Sequence, residues 1–523
     1  MELFELSSLD LIGKSGWKRG LQLVPSYRTG FFVVKYKYMD NSKVKTDLME
    51  KIVALAKRRG FVYPTSEIYG GLSNSYDYGP AGAELLRNIR NLWWKEFINS
   101  REDMVGLDTQ IILHPETWVA SGHVSGFNDP MVEDIKTHKR YRADHIIENY
   151  LHEAPIKLAK DQDLTKEKLK ELLEKYEKII VENMNLDEMN DFIKENKIKS
   201  PDDNDLSEVK AFNQLFETAI GVVSGEKSKV YLRGETAQGI FTNFKQVLDS
   251  SRVKLPFGIG QIGKSFRNEI TTGQFIFRTL ELEQAEIEYF FDPEKEDWEK
   301  LFKKWQEDMM HFVNETLGVS KDNLRWRRHT DKERSFYSKD TYDLDYNYPF
   351  GWKELWGIAY RTDYDLKQHM EHSGQSLEYI DPTTGRKFIP HVIEPAVGVG
   401  RLFLITLLDA YYEDGDRVVL KLNPRVAPYK VAIFPLLANK PELVSKAKEL
   451  FNSLKSQFNV VWDDRGNIGK RYFAQDEIGT PWCVTVDFDT LEDNTVTVRD
   501  RDTAKQERIS IDKLSEYFQN KLV

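Results

Sequence analysis

The sequence predicts an α+β fold, in which an antiparallel sheet flanked by helices is followed by a smaller α/β domain. Acidic and apolar residues alternate from Phe257 to Phe290, as they do in strands whose two faces differ. Long helical patterns such as Ala83 to Ile98 lie on either side of this stretch. After Pro424, strand and helix patterns alternate over about 100 residues, which is typical of a small α/β domain.

Length and composition restrict the possible functions. The chain has 523 residues, so two or three domains are expected. Its net charge of −10 argues against binding nucleic acid through overall charge, but it is compatible with a local basic surface. The one cysteine, Cys483, excludes an intramolecular disulfide and a CxxC zinc site. No apolar run is long enough to span a bilayer and Met1 to Glu5 is unlike a secretory signal, so we expect a cytoplasmic protein without membrane partners.

The N-terminal part begins with residues of uncertain order. Residues 1–38 show no clear period, although Gly30 to Tyr38 is compatible with a strand. A helix is predicted from about Lys43 to Arg59 because apolar residues recur there at helical spacing. One hypothesis is that Met39 is the true start and that residues 1–38 are an appendage. A later strand is predicted at Thr109 to Leu113.

Two segments are predicted to be helical insertions. Lysine and glutamate dominate from about residue 151 to residue 209, and opposite charges recur there at helical spacing. A second insertion is predicted at about 293–335. The main domain would then span residues 39–423 and the C-terminal α/β domain residues 424–523.

The central stretch combines clustered glutamates with arginines on either side of a loop. The glutamates form two pairs that are out of phase, so a shared face would require a bulge near Gln284 and Ala285. Carboxylates and guanidinium groups on a rigid sheet suit a ligand with a phosphate at one end and an ammonium at the other. One alternative is a polar outer face on which these charges cluster by chance. Another is a set of ion pairs on the sheet face, in which Arg233 and Arg278 pair with the carboxylates, including Glu235 and Glu394. The arginines and glutamates of this central stretch are Arg267, Arg278, Glu281, Glu283, Glu286 and Glu288.

A glycine-rich sequence, Gly398-Val399-Gly400-Arg401, lies at a predicted junction between a strand and a helix. Glycines there allow a ligand to approach the backbone closely, and Arg401 would reach an anionic group. Taken alone, the same sequence is equally compatible with an ordinary tight turn.

Several separated sequences together resemble the class II aminoacyl-tRNA synthetase family, and within it the glycyl-tRNA synthetases of the homodimeric type. The three class II signatures are matched by Ala83 to Pro115, by Phe266 to Glu269 with Phe277-Arg278, and by Gly398 to Arg401. The glycine-specific members are resembled by Ser66 to Gly71, Trp118 to His123, Arg142 to His145, Glu235 to Gly239 and Arg361 to Leu366. The resemblance implies a class II catalytic domain at 39–423 and an anticodon-binding domain at 424–523.

The activity implied by this resemblance is ATP-dependent attachment of glycine to tRNA(Gly) through a glycyl-adenylate intermediate. The implied partners are glycine, ATP and tRNA(Gly), and the implied assembly is a homodimer. As catalytic residues, Arg267 would hold the α-phosphate and Arg401 the γ-phosphate, while Phe277 would lie under the adenine. Glu354 resembles the carboxylate that holds Mg²⁺ near the phosphates. No zinc is expected, because Val132 to Lys139 contains no cysteine.

The glycine and ATP sites implied by the resemblance share the central strands. The glycine-binding residues would be Arg142, Glu235, Leu282, Glu283, Gln284, Ala285, Glu286, Glu394, Pro395, Ala396, Val397 and Gly398. The ATP-binding residues would be Arg267, Asn268, Glu269, Phe277, Arg278, Thr279, Leu280, Glu281, Leu282, Glu354, Leu355, Gly398, Val399, Gly400 and Arg401. In the C-terminal domain, the candidates for contacts with tRNA are Arg465, Lys470, Arg471, Arg499 and Arg501.

Two positions depart from the family pattern. Gly234 stands where proline is usual, and Ala396 stands where serine is usual. A missing hydroxyl at position 396 weakens the barrier against alanine, so a class II synthetase for another small amino acid is the nearest alternative. A non-catalytic RNA-binding or regulatory subunit is a second alternative. It predicts loss of the phosphate-binding arginines, whereas Arg267 and Arg401 are both present.

Overall fold

The computed structural model describes residues 20–25, 32–37, 41–161, 184–221, 228–269, 274–330 and 338–522, together with Lys168, Tyr176, Ile179, Val181 and Arg334. Within these ranges, none of the helices has the length and apolar character that crossing a bilayer requires. Of the predicted appendage, the strands Gly20–Pro25 and Phe32–Lys37 form an antiparallel pair. Met39 and the rest of residues 1–38 lie outside the described residues.

A seven-stranded sheet forms the centre of the chain. All neighbouring strands are antiparallel except the last two, which are parallel. In spatial order the strands are Leu324–Arg328, Asp340–Tyr348, Gly351–Thr362, His391–Gly398, Glu281–Phe291, Phe257–Phe266 and Met104–Gly106. The predicted antiparallel sheet is therefore confirmed.

Two glycines allow neighbouring segments to pack closely against the Phe257–Phe266 strand. A Cβ atom on Gly258 would lie 2.4 Å from the sulfur of Met104, in the parallel edge strand. A Cβ atom on Gly260 would lie 2.3 Å from Cδ1 of Ile98. Any larger residue at either position would push the edge strand or the preceding helix away from the sheet.

Helices cover both faces of this sheet. On one face, the helix Ala237–Ser251 packs Phe241 and Phe244 against Phe257 and Phe290 of the sheet. On the other face, the helices Pro80–Trp94 and Val399–Ala410 form a larger core with the outer strands. The cavity described below therefore lies on a support that is packed from both sides.

The pairing of the Phe257–Phe266 and Glu281–Phe291 strands is regular, and no bulge occurs near Gln284. Since side chains alternate along a strand, the two pairs of glutamates, Glu281/Glu283 and Glu286/Glu288, point to opposite faces. Residues Phe275–Phe277 form a 3₁₀ turn, so the second strand begins only at Glu281. The strand predicted at Thr109 to Leu113 is wrong, because the structure has Met104–Gly106 instead and only a single bridge at Ile112.

The predicted insertions contain helices in their described parts. The first includes the end of Ala143–Asp161 and the helix Leu186–Glu195, of which the second packs on a small sheet. The second contains the helix Trp298–His311, which continues as a wider π turn over Phe312–Thr316. Its later part, Leu324–Arg328, is instead the edge strand of the central sheet, so the prediction of a helical insertion is wrong there. The small sheet consists of Asn128–Glu133, Arg140–Arg142 and Lys210–Asn213. Further α-helices before the C-terminal part are Asn41–Arg58, Pro115–Ala120, His123–Gly126 and Tyr364–Ser373. Four further pairs of short antiparallel strands are Val62–Pro64 with Tyr76–Tyr78, Glu217–Ile220 with Ser228–Tyr231, Tyr379–Ile380 with Lys387–Phe388, and Tyr411–Asp414 with Arg417–Leu420.

The C-terminal part has the predicted α/β pattern, with a core of its own. Its five strands are parallel on one side of the sheet and antiparallel on the other. In spatial order they are Val460–Trp462, Val431–Pro435, Trp482–Val486, Thr495–Asp500 and Gln506–Ser510. The helices are Pro441–Leu454, Ile468–Ile478, Phe488–Asp493 and Leu514–Lys521. The strand Gln506–Ser510 was not predicted, because its exposed charged residues gave no apolar alternation.

Candidate active site

A cavity of about 570 Å³ lies over the central sheet, where the strands Glu281–Phe291, Gly351–Thr362 and His391–Gly398 meet. Its walls are formed by side chains from many separate segments of the chain. The predicted site residues that line it are Glu235, Arg267, Glu269, Phe277, Arg278, Thr279, Glu281, Leu282, Glu283, Gln284, Glu286, Glu354, Glu394, Ala396, Val397, Gly398, Gly400 and Arg401. The structure thus brings most of the predicted residues together in one place.

One end of the cavity is acidic. Glu235, Glu286 and Glu394 all line it, and carboxylate oxygens of Glu286 and Glu394 lie within 4.8 Å of each other. The backbone N–H of Thr236 donates to Glu286 Oε2 at 3.0 Å, and the Thr236 hydroxyl donates to the same oxygen. Glu286 is therefore held on its strand by the residue that follows Glu235.

The buried carboxylates influence one another's protonation. Burial raises the pKa of Glu286 above its ordinary value, and the nearby charge of Glu235 raises it further. Burial also raises the pKa of Glu394 well above its ordinary value, although Arg361 opposes this shift. Burial disfavours the charged form of Glu235 as well, but His123 and Arg361 outweigh it and lower the pKa of that carboxyl. A positively charged group entering this end would stabilise the ionised forms of all three.

Arg361 is the cation of the acidic end, and sequence reasoning gave it no role. Its Nη1 donates to Glu394 at 2.8 Å, while its Nε and Nη2 form a fork with both oxygens of Asp365, each at 2.8 Å. One signal was available, since Arg361 and Asp365 are spaced by four residues as partners often are at the start of a helix. The ion-pair alternative is correct in kind for Glu394, but the partner is Arg361 rather than Arg233 or Arg278.

Other predicted carboxylates also have partners that the sequence did not indicate. Glu281 forms an ion pair with Lys264 at 2.9 Å. Glu283 forms an ion pair at 2.7 Å with Arg90, which belongs to the helix Pro80–Trp94. Arg233, which was the alternative partner, instead donates to the backbone carbonyls of Thr109 and Lys264.

The other end of the cavity is basic and aromatic. The guanidinium of Arg401 lies 4.5 Å from the ring centroid of Phe277, and its Nη1 contacts Glu354 Oε1 at 3.0 Å. Arg267 donates from Nε to the carbonyl of Gly234 at 3.1 Å. Desolvation by the cavity walls disfavours a charge on Glu354, but Arg401 and then Arg267 lower its pKa below the ordinary value. Arg278 lines the same region.

Seven predicted site residues do not line the cavity. Arg142 pairs with Asp129 at 2.8 Å and Asp144 at 2.6 Å on the neighbouring small sheet. Ala285, Leu355 and Val399 belong to the hydrophobic core, because their side chains point away from the cavity. The others are Asn268, Leu280 and Pro395, of which Leu280 accepts a backbone hydrogen bond from Arg267.

Three of the five arginine and lysine candidates for tRNA contact are buried. Arg471 donates to the carbonyls of Pro435 and Gly466, and Arg501 to those of Gly479 and Leu422. Arg499 forms a fork with both oxygens of Asp476. The prediction that these three side chains contact tRNA is therefore wrong. Arg465 and Lys470 are exposed, and for them it stays a prediction.

Comparison with known proteins places these features in a family. Residues 430–521 match the model of the anticodon binding domain. A glycine–tRNA ligase of Caldanaerobacter subterraneus subsp. tengcongensis is 50% identical over 481 residues, which cover 91% of this chain and 98% of that protein. The glycine–tRNA ligase of Clostridium acetobutylicum is 48% identical over 482 residues, and that of Bacillus cereus is 47% identical over 481 residues; each alignment covers 91% of this chain and at least 98% of the relative. The chain belongs to the glycine–tRNA ligase family.

Proposed function

We propose that this chain catalyses the ATP-dependent attachment of glycine to tRNA(Gly) through a glycyl-adenylate intermediate. The observation that carries the proposal is a single cavity with guanidinium groups at one end and buried carboxylates at the other. A nucleotide and a zwitterion have the matching charges. The family membership of the chain agrees with this reading.

In the first step, a carboxylate oxygen of glycine attacks the α-phosphorus of ATP and pyrophosphate leaves. The reacting groups are both anionic, so the chain must neutralise them and hold them in line. Arg267 is assigned to the α-phosphate and Arg401 to the γ-phosphate. Adenine would stack on Phe277, so Arg401, which now lies over that ring, has to move aside when ATP binds.

In the second step, a terminal ribose hydroxyl of tRNA attacks the carbonyl carbon of the adenylate and AMP leaves. No covalent intermediate with the protein is required. The matched C-terminal domain supplies a second binding surface for the tRNA, on which Arg465 and Lys470 remain the predicted contacts.

Selection of glycine is assigned to Glu235, Glu286 and Glu394, which would surround the ammonium group. Glycine has no side chain to bind, so the site must reject larger amino acids by lack of space. Ala396 and Gly357 are opposite one another on neighbouring strands of the cavity wall, close to these carboxylates.

A divalent cation fits the basic end. Arg401 contacts Oε1 of Glu354, whose side chain is 46% exposed in the cavity, so the second oxygen of this carboxylate is assigned to Mg²⁺. Mg²⁺ prefers a few carboxylate oxygens together with phosphates and water. When bound, it would neutralise charge on the phosphates. That the protein needs no zinc stays a prediction.

We further propose the class II synthetase fold for the central sheet, a homodimer, and a cytoplasmic location. The domain boundaries at residues 39–423 and 424–523 are part of the same proposal. Sedimentation of the purified protein at several concentrations tests the assembly, and a monomer at micromolar concentration would contradict it.

The function itself is tested by amino-acid-dependent exchange of pyrophosphate into ATP across the small amino acids. Glycine should give the largest kcat/KM, and aminoacylation of tRNA(Gly) should follow. Faster exchange with alanine than with glycine would favour a synthetase for another small amino acid. No exchange with any amino acid would favour a non-catalytic subunit.

A further inference from the structure

A chain of hydrogen bonds leads from the cavity wall into the neighbouring helices and begins at Glu235. The Nε2 atom of His123 lies 3.3 Å from Glu235 Oε2. The other ring nitrogen, Nδ1, lies 2.8 Å from the hydroxyl oxygen of Ser121. Ser121 and His123 belong to the sequence Trp118 to His123, to which the proposed function gave no role.

Both oxygens of Glu235 are held. Oε1 accepts a hydrogen bond from Nε2 of Gln238 at 2.9 Å, and Oε2 is the one in contact with His123. The amide of Gln238 is fixed in turn by Asp365 at 3.0 Å and by His369 at 2.9 Å. A carboxylate held on both oxygens cannot rotate freely, so it presents a fixed face to the cavity.

Packing fixes the ring of His123. Trp118 meets it edge-on at 5.3 Å between ring centroids, and Phe127 lies at 5.2 Å on another side. Gly122 precedes it with φ of +78°, a conformation that other residues rarely adopt, and so turns the ring back towards Ser121. Asn213 Nδ2 donates to the backbone carbonyl of His123 at 3.2 Å. His123 is thus placed by backbone and side-chain contacts that do not depend on Glu235.

The hydroxyl of Ser121 can either donate to Nδ1 or accept from it, whereas the carboxylate of Glu235 only accepts and so favours a proton on Nε2. When the hydroxyl donates to Nδ1, the proton of the neutral ring is on Nε2 and is directed at Glu235. When the ring is charged, Nδ1 donates to Ser121, whose proton can turn to the carbonyl of Trp118 at 3.4 Å. In both states Nε2–H donates to the carboxylate.

We propose that His123, oriented by Ser121, is a positioning residue for glycine recognition: it holds Glu235 in the geometry that receives the substrate ammonium. The inference rests on the proposed function. His123 contacts Glu235 at the acidic end of the cavity directly, whereas it reaches a nucleotide residue, Arg267, only through the ring of Phe127. Losing it should therefore affect glycine and spare ATP.

The test compares His123→Leu, which removes the donor, with His123→Gln, whose amide can replace Nε2–H. Because a hydrogen bond to a charged group is lost, we expect His123→Leu to raise the glycine KM about tenfold or more in pyrophosphate exchange. The ATP KM should stay within about twofold, and His123→Gln should recover most of the loss. His114→Leu is the matched control, since His114 is exposed in the same segment and should leave the glycine KM unchanged.

A crystal structure of His123→Leu provides a readout that does not require catalysis, and Glu235 is expected to leave its position. If the wild-type protein shows no glycine-dependent exchange, the proposed function fails and this structure alone decides the positioning role. An unchanged glycine KM, equal rises in the KM values for glycine and ATP, or an unmoved Glu235 would overturn the inference. If the leucine variant does not fold, Ser121→Ala is used in its place. The glycine KM of Ser121→Ala should rise about threefold, and an unchanged glycine KM would overturn the inference.

Discussion

Glu288 and Glu394 lie on neighbouring strands of the central sheet, with carboxylate oxygens within 4.8 Å of each other. Glu288 is fully buried, and neither of its oxygens has a hydrogen-bond partner among the described residues. Burial, and then the charge of Glu394, raises the pKa of Glu288 well above its ordinary value of 4.5. Burial and the neighbouring carboxylate therefore favour the protonated form of Glu288 beneath the acidic end of the cavity.

This protonation predicts a pH-dependent stability. Between 4.5 and the raised pKa, the folded protein keeps a proton that the unfolded chain releases, so the free energy of unfolding falls as the pH rises. In the wild type, this contribution lowers the free energy of unfolding by about 1.4 kcal/mol per pH unit within that window. Glutamine cannot ionise, so Glu288→Gln should lack this decrease. Urea denaturation from pH 5 to pH 8 measures the effect.

Glu67→Gln is the control for this comparison, because Glu67 is half-exposed in a surface pair with Lys57. It should leave the pH dependence as it is in the wild type. The glycine KM of Glu288→Gln should also change little, because Glu288 does not line the cavity. A variant whose stability falls with pH as steeply as the wild type would show that Glu288 is ionised.

Arg361 is predicted to be the main electrostatic support of the acidic end. It is buried and serves two carboxylates, Glu394 and Asp365, at 2.8 Å each. Arg361→Met leaves both without their cation, so the free energy of unfolding should fall by about 3–5 kcal/mol. Lys57→Met in the exposed pair with Glu67 should cost at most about 1 kcal/mol. Equal effects of the two substitutions in urea denaturation would contradict this assignment.

Arg401 is predicted to act on the nucleotide and not on glycine. Since it would stabilise charge that develops on the leaving pyrophosphate, Arg401→Ala should lower kcat for pyrophosphate exchange by about 10²–10³-fold. Arg401→Lys should recover only part of this, because an ammonium lacks the planar pair of N–H donors that a guanidinium directs at phosphate oxygens. Steady-state kinetics with each substrate varied provide the measurement, and a change confined to the glycine KM would refute the assignment.

The central features of the site were predictable because their signals are local. The alternation from Phe257 to Phe290 requires strands, and the glycines before Arg401 mark the start of a helix. Glu286 was noticed because it belongs to the alternating stretch, whereas Glu394 was assigned only through the resemblance to the glycyl-tRNA synthetases. The sequence could not predict which cation pairs with Glu394, because Arg361 lies on a neighbouring strand of the sheet that is separated from Glu394 along the chain by a whole helix.

The same limit explains the errors in the C-terminal domain. Arginines are mostly exposed, so the sequence favoured surface positions for Arg471, Arg499 and Arg501. In the fold, each is buried because backbone carbonyls or Asp476 satisfy its donors. No local sequence pattern indicates such partners, because they lie up to 79 residues away along the chain.

Because these arginines are buried, we expect their substitution to lower stability, whereas substitution of the exposed Arg465 should weaken tRNA binding. Arg499→Ala leaves the fully buried carboxylate of Asp476 short of a partner, so unfolding should become easier by about 3 kcal/mol or more. Arg465→Ala, at a side chain that is 91% exposed, should leave stability unchanged and weaken tRNA binding at low salt. Thermal unfolding and filter binding of labelled tRNA(Gly) measure the two effects. Weaker tRNA binding by Arg499→Ala in a fully folded protein would restore it as a direct contact.

Ala396 tests how the cavity excludes alanine. It lines the wall opposite Gly357 and beside Glu286, so an added hydroxyl would occupy space next to the assigned ammonium site. We expect Ala396→Ser to lower the ratio of kcat/KM for alanine to that for glycine by about 5- to 30-fold, because a small steric and polar change discriminates by about 1–2 kcal/mol. Pyrophosphate exchange with both amino acids gives the ratio, and Ile393→Val, at a core position of the same strand that does not line the cavity, serves as the control. If the serine variant activates alanine relatively better, the wall at position 396 does not limit the size of the substrate, and exclusion must come from the carboxylates themselves.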